Sequence, residues 1–537
     1  MVPNSNPNAA SGQSSPAPTG RPPVSPVSTA SGSSVSVRAA QVVDDGSGVA
    51  GGSSVKESLL ILSDVHLGSD INDRAAPGSE TRRSKSVDAD LVALLRHYAR
   101  TPPAADRWRI VIAGDFIDFI GMSMAADPRE GALDTAPSEE ELLHGLGNAS
   151  DHARLKLRRV AERHREVFQS LADFVAAGNT MTLVHGNHDI EFHWEAVKAE
   201  LKAQLSSLAL VAALIAPEDV AAFEGRIEFN PWFFYLGGVA YIEHGHQYDA
   251  YCATDYVMSP LSPFDPRRIA RNFSDTLLRF VVRSTHGMKE HGHDGKGMLD
   301  YVSFAAGLGL RGLVKLGMDF ARAVIELFRL RRAYFTDAAR TLREEHERRI
   351  GLLSEATRIG LDRLRALAAL QVPPVTRSIR GILGSVLLDR LALAVGTVTM
   401  LLGVALVGAR HGHFLWAGVL VVVAWLLLNR YLARQRKIDP DDQLVERAAH
   451  LAKLFPAAFV VMGHTHVPMR VPVNAGEATY INVGSWAEEE AEGEHAYRAA
   501  RTHLVIRNDA TGPHAEFLAW SSEGPRSFVG PWKPSQG

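Results

Sequence analysis

Short apolar runs that stop at polar residues recur along the chain from Leu59 onward. Six of them are SLLIL, WRIVIAG, MTLVHG, GVAYIEHG, AAFVVMG and ATYINVG. Runs of this length that are rich in Val and Ile and end at Gly or Asp are typical of buried strands. Between the early runs, residues 86–100 and 152–178 have helical apolar spacing, and the second stretch ends at Gly178, a natural helix C-cap. The pattern predicts an α/β fold.

The middle of the chain has a different pattern. No clear strand is predicted from about 265 to 372, and residues 311–332 have the spacing of an amphipathic helix. Its apolar face is predicted to consist of Leu313, Leu316, Phe320, Val324 and Leu327. Six basic residues against two acidic ones lie on the remainder, as in helices that lie in a membrane interface. A helix packed on its own domain is the alternative, and we favour it.

Two longer apolar runs follow. Residues 391–409 are nineteen residues without a charge, and residues 414–428 are fifteen apolar residues with a Trp near each end. The first run is long enough to cross a bilayer, and soluble helices rarely lack a polar face over two adjacent runs. The pattern predicts a transmembrane hairpin over 391–428, with a buried helical hairpin of a soluble core as the alternative.

Basic residues flank the hairpin unequally. Arg380 and Arg390 precede it, Arg430, Arg434, Arg436 and Lys437 follow it, and the turn carries only Arg410. The positive-inside rule places both ends in the cytoplasm. We therefore expect a multi-pass protein of the inner (cytoplasmic) membrane whose remaining parts face the cytoplasm.

Length, charge and cysteine content narrow the classes of protein to which this chain could belong. The length of 537 residues allows more than one domain, and a net charge of −3 gives no indication of nucleic-acid binding. The single cysteine, Cys252, excludes an internal disulfide and a cysteine zinc cluster. The first 55 residues, rich in Ser, Pro, Gly and Ala, predict a disordered tail and lack the apolar segment of a secretory signal.

Polar clusters follow five of the strand-like runs. They comprise Asp64 and His66; Asp115 and Asp118; Asn187, His188 and Asp189; His244 and His246; and His464 and His466. Strand ends converge at one edge of an α/β sheet, where binding sites are built. Asp and His side chains and the side-chain oxygen of Asn are ligands of Mn, Fe, Zn and Co. Asp115 could bridge two ions about 3.5–4 Å apart, which is the spacing of two-metal phosphoryl sites.

The sequences DVH, GDFID, GNHD, HGH and GHTH, in this order, resemble those of the calcineurin-like metallophosphoesterases. The resemblance covers roughly 57–250 and 451–537 and implies a β-sandwich flanked by helices. It implies two divalent ions, with Mn expected first and Fe, Zn or Co as alternatives. It also implies that the first ion is held by Asp64, His66, Asp115 and His466, and the second by Asp115, Asn187, His244 and His464. His188 matches the catalytic histidine that protonates the leaving oxygen, and Asp118 matches the carboxylate that orients it.

The HGH sequence occurs three times, at 244–246, 291–293 and 411–413. Only the first follows a strand-like run, so His244 is the predicted ligand. His246 is predicted to stand near the substrate or behind the ligands. The resemblance therefore divides the chain into a tail at 1–55, a first core part at 56–250, a helical insertion at 251–450 and a second core part at 451–537.

The sequences SDVHLG, GDFIDF, GNHD, HGHQYD and GHTH, followed by YINVGSW, look closer to those of the UDP-2,3-diacylglucosamine hydrolases, which split a pyrophosphate at the cytoplasmic membrane face. Protein phosphatases of the superfamily carry Arg where this chain has Phe119, and this difference counts against a protein phosphatase. The chain departs from the hydrolases at His188, where that group typically has Arg, and by its long insertion. We expect hydrolysis of a phosphodiester or pyrophosphate in a phosphoester substrate, in particular a lipid-linked one, by a metal-bound water. A phosphodiesterase for soluble nucleotides and a non-catalytic membrane scaffold are the alternatives.

Overall fold

The computed structural model of the protein describes residues 56–73, 85–127, 133–285, 307, 309–386, 388–408, 414–434, 440–487 and 497–530. The predicted tail at 1–55, the HGH sequences at 291–293 and 411–413, and the turn of the predicted hairpin lie outside these residues.

Two sheets organise the described part of the chain. The strands are β1 (Glu57–Leu62), β2 (Arg107–Ala113), β3 (Thr180–Val184), β4 (Ile227–Asn230), β5 (Phe233–Leu236), β6 (Gly238–Glu243), β7 (Ala457–Met462), β8 (Met469–Val473), β9 (Ala478–Asn482), β10 (Thr502–Asp509), β11 (Gly512–Ser521) and β12 (Gly524–Ser527). The seven-stranded sheet has the order β12-β11-β10-β1-β2-β3-β4, and the five-stranded sheet has the order β5-β6-β7-β9-β8.

All six predicted apolar runs are strands, which confirms the α/β prediction. β1, β2 and β3 are parallel neighbours in the first sheet, and β6, β7 and β9 are parallel neighbours in the second. β4 is parallel to β3 as well, so the first sheet presents four parallel strand ends in a row and the second presents three. The runs that become β4, β5, β8 and β10–β12 were not predicted as strands.

Alternation along β1 shows how the sheets are layered. Leu60 and Leu62 pack with the helices of the larger core, whereas Leu59 and Ile61 pack with residues of β6, β7 and β9. Since successive side chains of a strand point to opposite faces, the seven-stranded sheet carries helices on one face and the five-stranded sheet on the other.

Fourteen α-helices lie within the described residues. They are α1 (Lys85–Arg100), α2 (Glu139–His144), α3 (Ser150–Arg163), α4 (Arg165–Ala176), α5 (Glu195–Val211), α6 (Val220–Gly225), α7 (Phe273–Leu277), α8 (Gly309–Ala333), α9 (Asp337–Thr357), α10 (Leu361–Leu370), α11 (Ile379–Ser385), α12 (Leu388–Gly408), α13 (Phe414–Arg434) and α14 (Pro440–Leu454). A π-helical turn, Leu278–Val282, continues α7.

The single helix predicted over 152–178 was wrong, because the chain breaks at His164 between α3 and α4. The buried His164 ring accepts a hydrogen bond from the Gly68 amide at 3.2 Å and lies 2.6 Å from Asp88. Gly68 closes the DVHLG sequence, so the break allows a helix residue to support the loop that carries Asp64 and His66.

The described part of the predicted insertion begins with turns and irregular chain up to Asn272 and is mainly helical from Phe273 onward, with no strand between β6 and β7 in those residues. Three arginines attach it to α2 by ion pairs: Arg268 with Glu141, and Arg271 and Arg279 with Glu140. The predicted helix over 311–332 is α8, and four of its five predicted apolar residues pack into the insertion's small core: Leu316, Phe320, Val324 and Leu327. The interpretation of a helix packed on its own domain is confirmed for that face.

Two helices are long and apolar enough to cross a membrane. The stretches are Leu388–Val407, of 20 residues, and Leu415–Leu432, of 18 residues, and neither is buried within the protein. The two helices pack against each other. Leu402 is 60% exposed and Leu420 is 69% exposed, so among the described residues the hairpin is not buried in a soluble core.

Candidate metal centre

Every predicted metal ligand lies just beyond the carboxyl end of a parallel strand. Asp64 and His66 follow β1, Asp115 follows β2, and Asn187 follows β3 in the first sheet. In the second sheet, His244 follows β6, and His464 and His466 follow β7. The two rows of strand ends meet, and the polar side chains of both sheets form one cluster.

The backbone at the cluster is unusual. Five of the predicted ligands have positive φ: Asp64 at 53°, His66 at 49°, Asp115 at 53°, His464 at 71° and His466 at 60°. They make up five of the nine non-glycine residues with positive φ in the described residues. Such conformations cost about 1–3 kcal/mol each and concentrate at functional sites. The backbone conformations that turn these side chains toward one another therefore lower the stability of the fold.

The first predicted ligand set is assembled around Asp64 and Asp115. Nε2 of His466 lies 3.1 Å from Oδ1 of Asp64, and Nε2 of His66 lies 3.8 Å from the same oxygen. Nε2 of His66 also lies 3.6 Å from Oδ2 of Asp115. Donor atoms of Asp64, His66 and His466 lie within 4.8 Å of one another, close enough for one ion to bind all three.

The second predicted set meets at the other side of Asp115. Nε2 of His244 lies 3.2 Å from Oδ2 of Asp115 and 3.2 Å from Oδ1 of Asn187. Nδ1 of His244 lies 2.9 Å from the carbonyl oxygen of Ala113. This contact fixes the ring so that Nε2 points at the two oxygen donors, an arrangement typical of metal-binding histidines.

His464 lies beside this set and contacts a residue that the sequence did not predict. Its ring lies 5.2 Å from that of His244, and its Nε2 lies 3.1 Å from Oδ2 of Asp249. The contact with Asp249 leaves Nδ1 as the ring nitrogen available to an ion. Asp249 stands in the HGHQYD sequence, but nothing in its spacing distinguishes it from an ordinary loop carboxylate.

His188 and Asp118 form the predicted catalytic pair. Nδ1 of His188 lies 2.7 Å from Oδ1 of Asp118, which also accepts a hydrogen bond from the Gly121 amide at 2.7 Å. The backbone amide of His188 donates to Oδ1 of Asp115 at 2.8 Å. The pair is therefore held directly against the proposed bridging carboxylate, with Nε2 of His188 left for another partner.

Asp189 braces the loops that carry these residues. Its Oδ1 accepts from the Gly186 amide at 2.7 Å, and its Oδ2 accepts from the Phe116 amide at 2.8 Å. One buried carboxylate thereby joins the loop after β3 to the loop after β2. Burial and the nearby Asp115 raise the pKa of Asp189 to about 7.

The glycines before the ligands permit close approach. A Cβ on Gly114, whose φ is 90°, would lie 2.4 Å from Nδ1 of His244. A Cβ on Gly463 would lie 2.2 Å from Oδ2 of Asp64, and Oδ2 of Asp64 accepts from the His464 amide at 3.0 Å. The two loops could not pack this closely with any side chain at either position.

The charges of the cluster are strongly interdependent. Burial opposes ionisation of Asp118, but His188 and His66 hold the pKa of this carboxyl well below its usual range. Burial likewise disfavours the charged form of His188, yet Asp118 and Asp115 raise its pKa above the ordinary value. For His244, burial is outweighed by Asp115 and Asp64, which raise its pKa to about 9. A cation bound at these carboxylates would replace the protons that the imidazoles otherwise hold.

His246 lies beside the cluster and is buried. Its Nε2 lies 2.8 Å from Nε2 of Gln247, and its ring lies 5.4 Å from that of His244 and 6.5 Å from that of His464. The location fits a residue behind the ligands, and the predicted contact with substrate stays a prediction.

The donor set fits divalent cations. Oδ1 of Asp64 and Oδ2 of Asp118 are buried, and imidazole nitrogens lie 3.1 Å (His466) and 3.9 Å (His66) from them without hydrogen-bond geometry, a costly arrangement unless another partner is present. Further sets within 4.8 Å are Asp64, Asp115 and His244; His66, Asp115 and His188; and Asp249, Cys252 and His464. Nitrogen and carboxylate donors together favour Mn, Fe, Zn or Co over purely oxygen-bound ions.

Comparison of this chain with known protein families and with curated proteins yields no match.

Proposed function

We propose that the protein is a membrane-anchored, metal-dependent phosphoesterase that hydrolyses a phosphodiester or pyrophosphate bond at a two-metal centre. The observation that supports this most directly is the convergence of both sheets on Asp115. Its carboxylate lies 3.6 Å from Nε2 of His66 and 3.2 Å from Nε2 of His244. These histidines belong to the two different ligand sets, which supports a bridging role for Asp115.

The two sets would hold one ion each. The first ion would be held by Asp64, His66, Asp115 and His466, and the second by Asp115, Asn187, His244 and His464. When bound, such a pair of ions holds the phosphoryl oxygens, provides a nucleophile at neutral pH and neutralises developing negative charge.

His188 supplies the proton that the leaving oxygen needs. Because Asp118 engages Nδ1 at 2.7 Å, the tautomer is fixed and Nε2 is the atom that delivers the proton. The Gly121 amide and the protein interior hold Asp118 in place. Asp118 therefore orients the imidazole and stabilises its charged form while the bond breaks.

A lipid-linked phosphoester is the substrate class that best fits the anchor. Two exposed apolar helices lie within the chain between His244 and His464, so the completed centre is tethered to the hairpin. The basic flanks favour the cytoplasmic side for both core parts. A nucleotide-linked lipid of the UDP-2,3-diacylglucosamine type matches both the tether and the resemblance of the sequence motifs.

The test is turnover by the purified full-length protein, supplied with Mn, against phosphomonoesters, aryl phosphodiesters, soluble nucleotides and nucleoside-diphosphate lipids. We expect metal-dependent cleavage of a diester or pyrophosphate, with the lipid-linked substrate preferred. Preference for a soluble nucleotide would favour the alternative substrate class. Absence of metal-dependent cleavage across the panel would favour the scaffold.

The variant His188→Ala tests the proton donor. It should retain its metals but lose roughly 10²–10⁴-fold in rate, the usual contribution of a positioned acid or base. The loss should shrink for an aryl phosphodiester, whose leaving group needs no proton. His514→Ala, at an exposed histidine, is the matched control, and equal losses on good and poor leaving groups contradict the role.

A further inference from the structure

Helix α8 has a second apolar face that none of the described residues covers. Its first face packs inward through Leu316, Phe320, Ala323 and Leu327. Its second face is an exposed stripe, which consists of Leu310 (80% exposed), Val314 (54%), Met318 (51%), Ile325 (69%) and Phe328 (36%). The spacing of three, four and seven residues places these side chains along one side of the helix.

The packed face ties α8 to the first apolar helix. Leu327 shares a small core with Ile382 and Val386, and Phe320, Val324 and Leu388 pack against that core. Leu388 is the first residue of the stretch that is long enough to span a membrane. Helix α8 therefore lies beside the point at which that stretch begins, where a bilayer surface would be.

The charges of α8 favour an anionic surface. The helix carries six basic and two acidic residues, a net charge of +4. Arg311, Lys315, Arg322, Arg329 and Arg332 are exposed, and they flank the stripe. Basic side chains around an apolar stripe are typical of helices that lie in the headgroup region of anionic lipids. A second copy of the chain fits less well, because two such helices would bring like charges together.

We propose that the exposed stripe of α8 lies in the headgroup region of the cytoplasmic leaflet and binds anionic lipid. The inference depends on the hairpin of the proposed function being in the membrane. Helix α8 also packs against the π-helical turn through Ala323, which contacts Phe280 and Val281. That turn carries Arg279, an ion-pair partner of α2, so the membrane contact would also set the distance of the core from the bilayer.

The experiment uses the full-length protein in vesicles of phosphatidylcholine with and without phosphatidylglycerol. A polarity-sensitive fluorophore is attached to Val314→Cys or to Ile325→Cys, and a nitroxide lipid labelled near the headgroup serves as quencher. Val211→Cys, at a 77% exposed apolar residue of α5, is the matched control. Leu402→Cys reports on the hairpin. Cys252 is buried, and the unsubstituted protein measures its background labelling.

We expect blue-shifted emission at Val314 and Ile325 that the nitroxide lipid quenches, more strongly with phosphatidylglycerol, and no such change at Val211. A blue-shifted Leu402 label together with water-like emission at both stripe positions would overturn the inference while leaving the hairpin intact. Water-like emission at Leu402 as well would overturn the proposed membrane anchor itself. Blue-shifted stripe labels without lipid quenching, with Ile325→Cys chains cross-linking to each other, would overturn the inference in favour of a second copy.

Discussion

Both oxygens of the Asp115 carboxylate are already engaged. Oδ1 accepts the His188 amide at 2.8 Å, and Oδ2 lies within 3.6 Å of two histidines from different sheets. The residue is buried, and the neighbouring histidines outweigh burial and lower its pKa. It is therefore an anionic group at the centre of the site under ordinary conditions.

We predict that Asp115→Asn abolishes activity and lowers the affinity for both ions. An amide has one oxygen acceptor and no charge with which to bridge them. Metal analysis of the purified variant, combined with turnover, is the measurement. Asp362→Asn, at an exposed carboxylate of α10, should keep both ions. Two ions per chain with normal turnover in Asp115→Asn would refute the bridging assignment.

Asp249 is expected to affect the same site indirectly, through its contact with the predicted ligand His464. Its contact with Nε2 of His464 fixes the ring, and loss of such an outer partner typically weakens metal affinity about 10–100-fold. We predict that Asp249→Asn weakens the binding of one of the two ions by this factor and leaves the affinity for the other unchanged. Metal titration followed by calorimetry measures both affinities.

The control is Asp509→Asn, since Asp509 lies 3.5 Å from His514 in an exposed pair far from the cluster along the chain. Equal weakening of both ions in Asp249→Asn would show that the residue supports the fold as a whole. Unchanged affinities would show that His464 is positioned by other groups.

At the residue scale, the sequence predicted side chains whose chemistry is recognisable from type and spacing. Asp64 and His66 stand two positions apart after an apolar run, and His464 and His466 repeat that spacing. Asp249 was not predicted, and Asp189 was predicted as part of a polar cluster but without its bracing role, since both roles depend on loops that meet only in three dimensions. A carboxylate that accepts two backbone amides from different loops has no local sequence pattern.

At the scale of elements, the turn after β2 must approach His244 of the second sheet closely for the two sheets to form one site. Gly114 has a φ of 90°, and an added Cβ would lie 2.4 Å from the His244 ring. We predict that Gly114→Ala displaces His244, empties the second metal position and destabilises the fold by about 1–3 kcal/mol, the range for a strained backbone position.

Metal content and denaturant unfolding of the variant measure both effects. Gly225→Ala is the control, because no atom lies within 4 Å of its added Cβ and the residue is helical. That change should leave metal content intact and stability within about 1 kcal/mol. Wild-type metal content in Gly114→Ala would contradict the close packing described for this turn.

Periodicity predicted the elements whose burial is regular. β1 is buried along almost its whole length, and its apolar run is unmistakable. β11 is only partly buried along most of its length, so its mixed sequence gives no strand signal. The break between α3 and α4 escaped as well, because His164 leaves the helix for tertiary partners, Gly68 and Asp88, which no local pattern contains.

On the scale of the whole molecule, the two exposed apolar helices predict stable membrane attachment. The protein should stay with membranes through a high-salt or carbonate wash and leave only with detergent, because salt screens interactions between surface charges and does not weaken the burial of apolar helices. A variant with Leu402→Arg and Leu420→Arg, both at exposed positions, should be released, since each Arg costs about 2.5–3.5 kcal/mol at a span centre.

Reporters fused near Val55 and after Gly537 should both report the cytoplasm, and one at Gly412 should report the far side. The basic flanks, with one Arg in the turn, are the physical reason. Termini on opposite sides would separate His464 and His466 from Asp115, and the proposed two-metal centre would then be wrong.

The strands β6 and β7 are neighbours in the sheet, yet the hairpin lies between them in the chain. The His464 amide bonds a carboxylate that lies 400 residues earlier. During synthesis, the ribosome therefore makes both apolar helices before it adds the last two histidines. On the proposed topology, the nascent chain commits to the bilayer while its centre is still open. Newly made protein would then gain the proposed full metal complement only after insertion, and the proposed activity would belong to chains that already lie in the membrane.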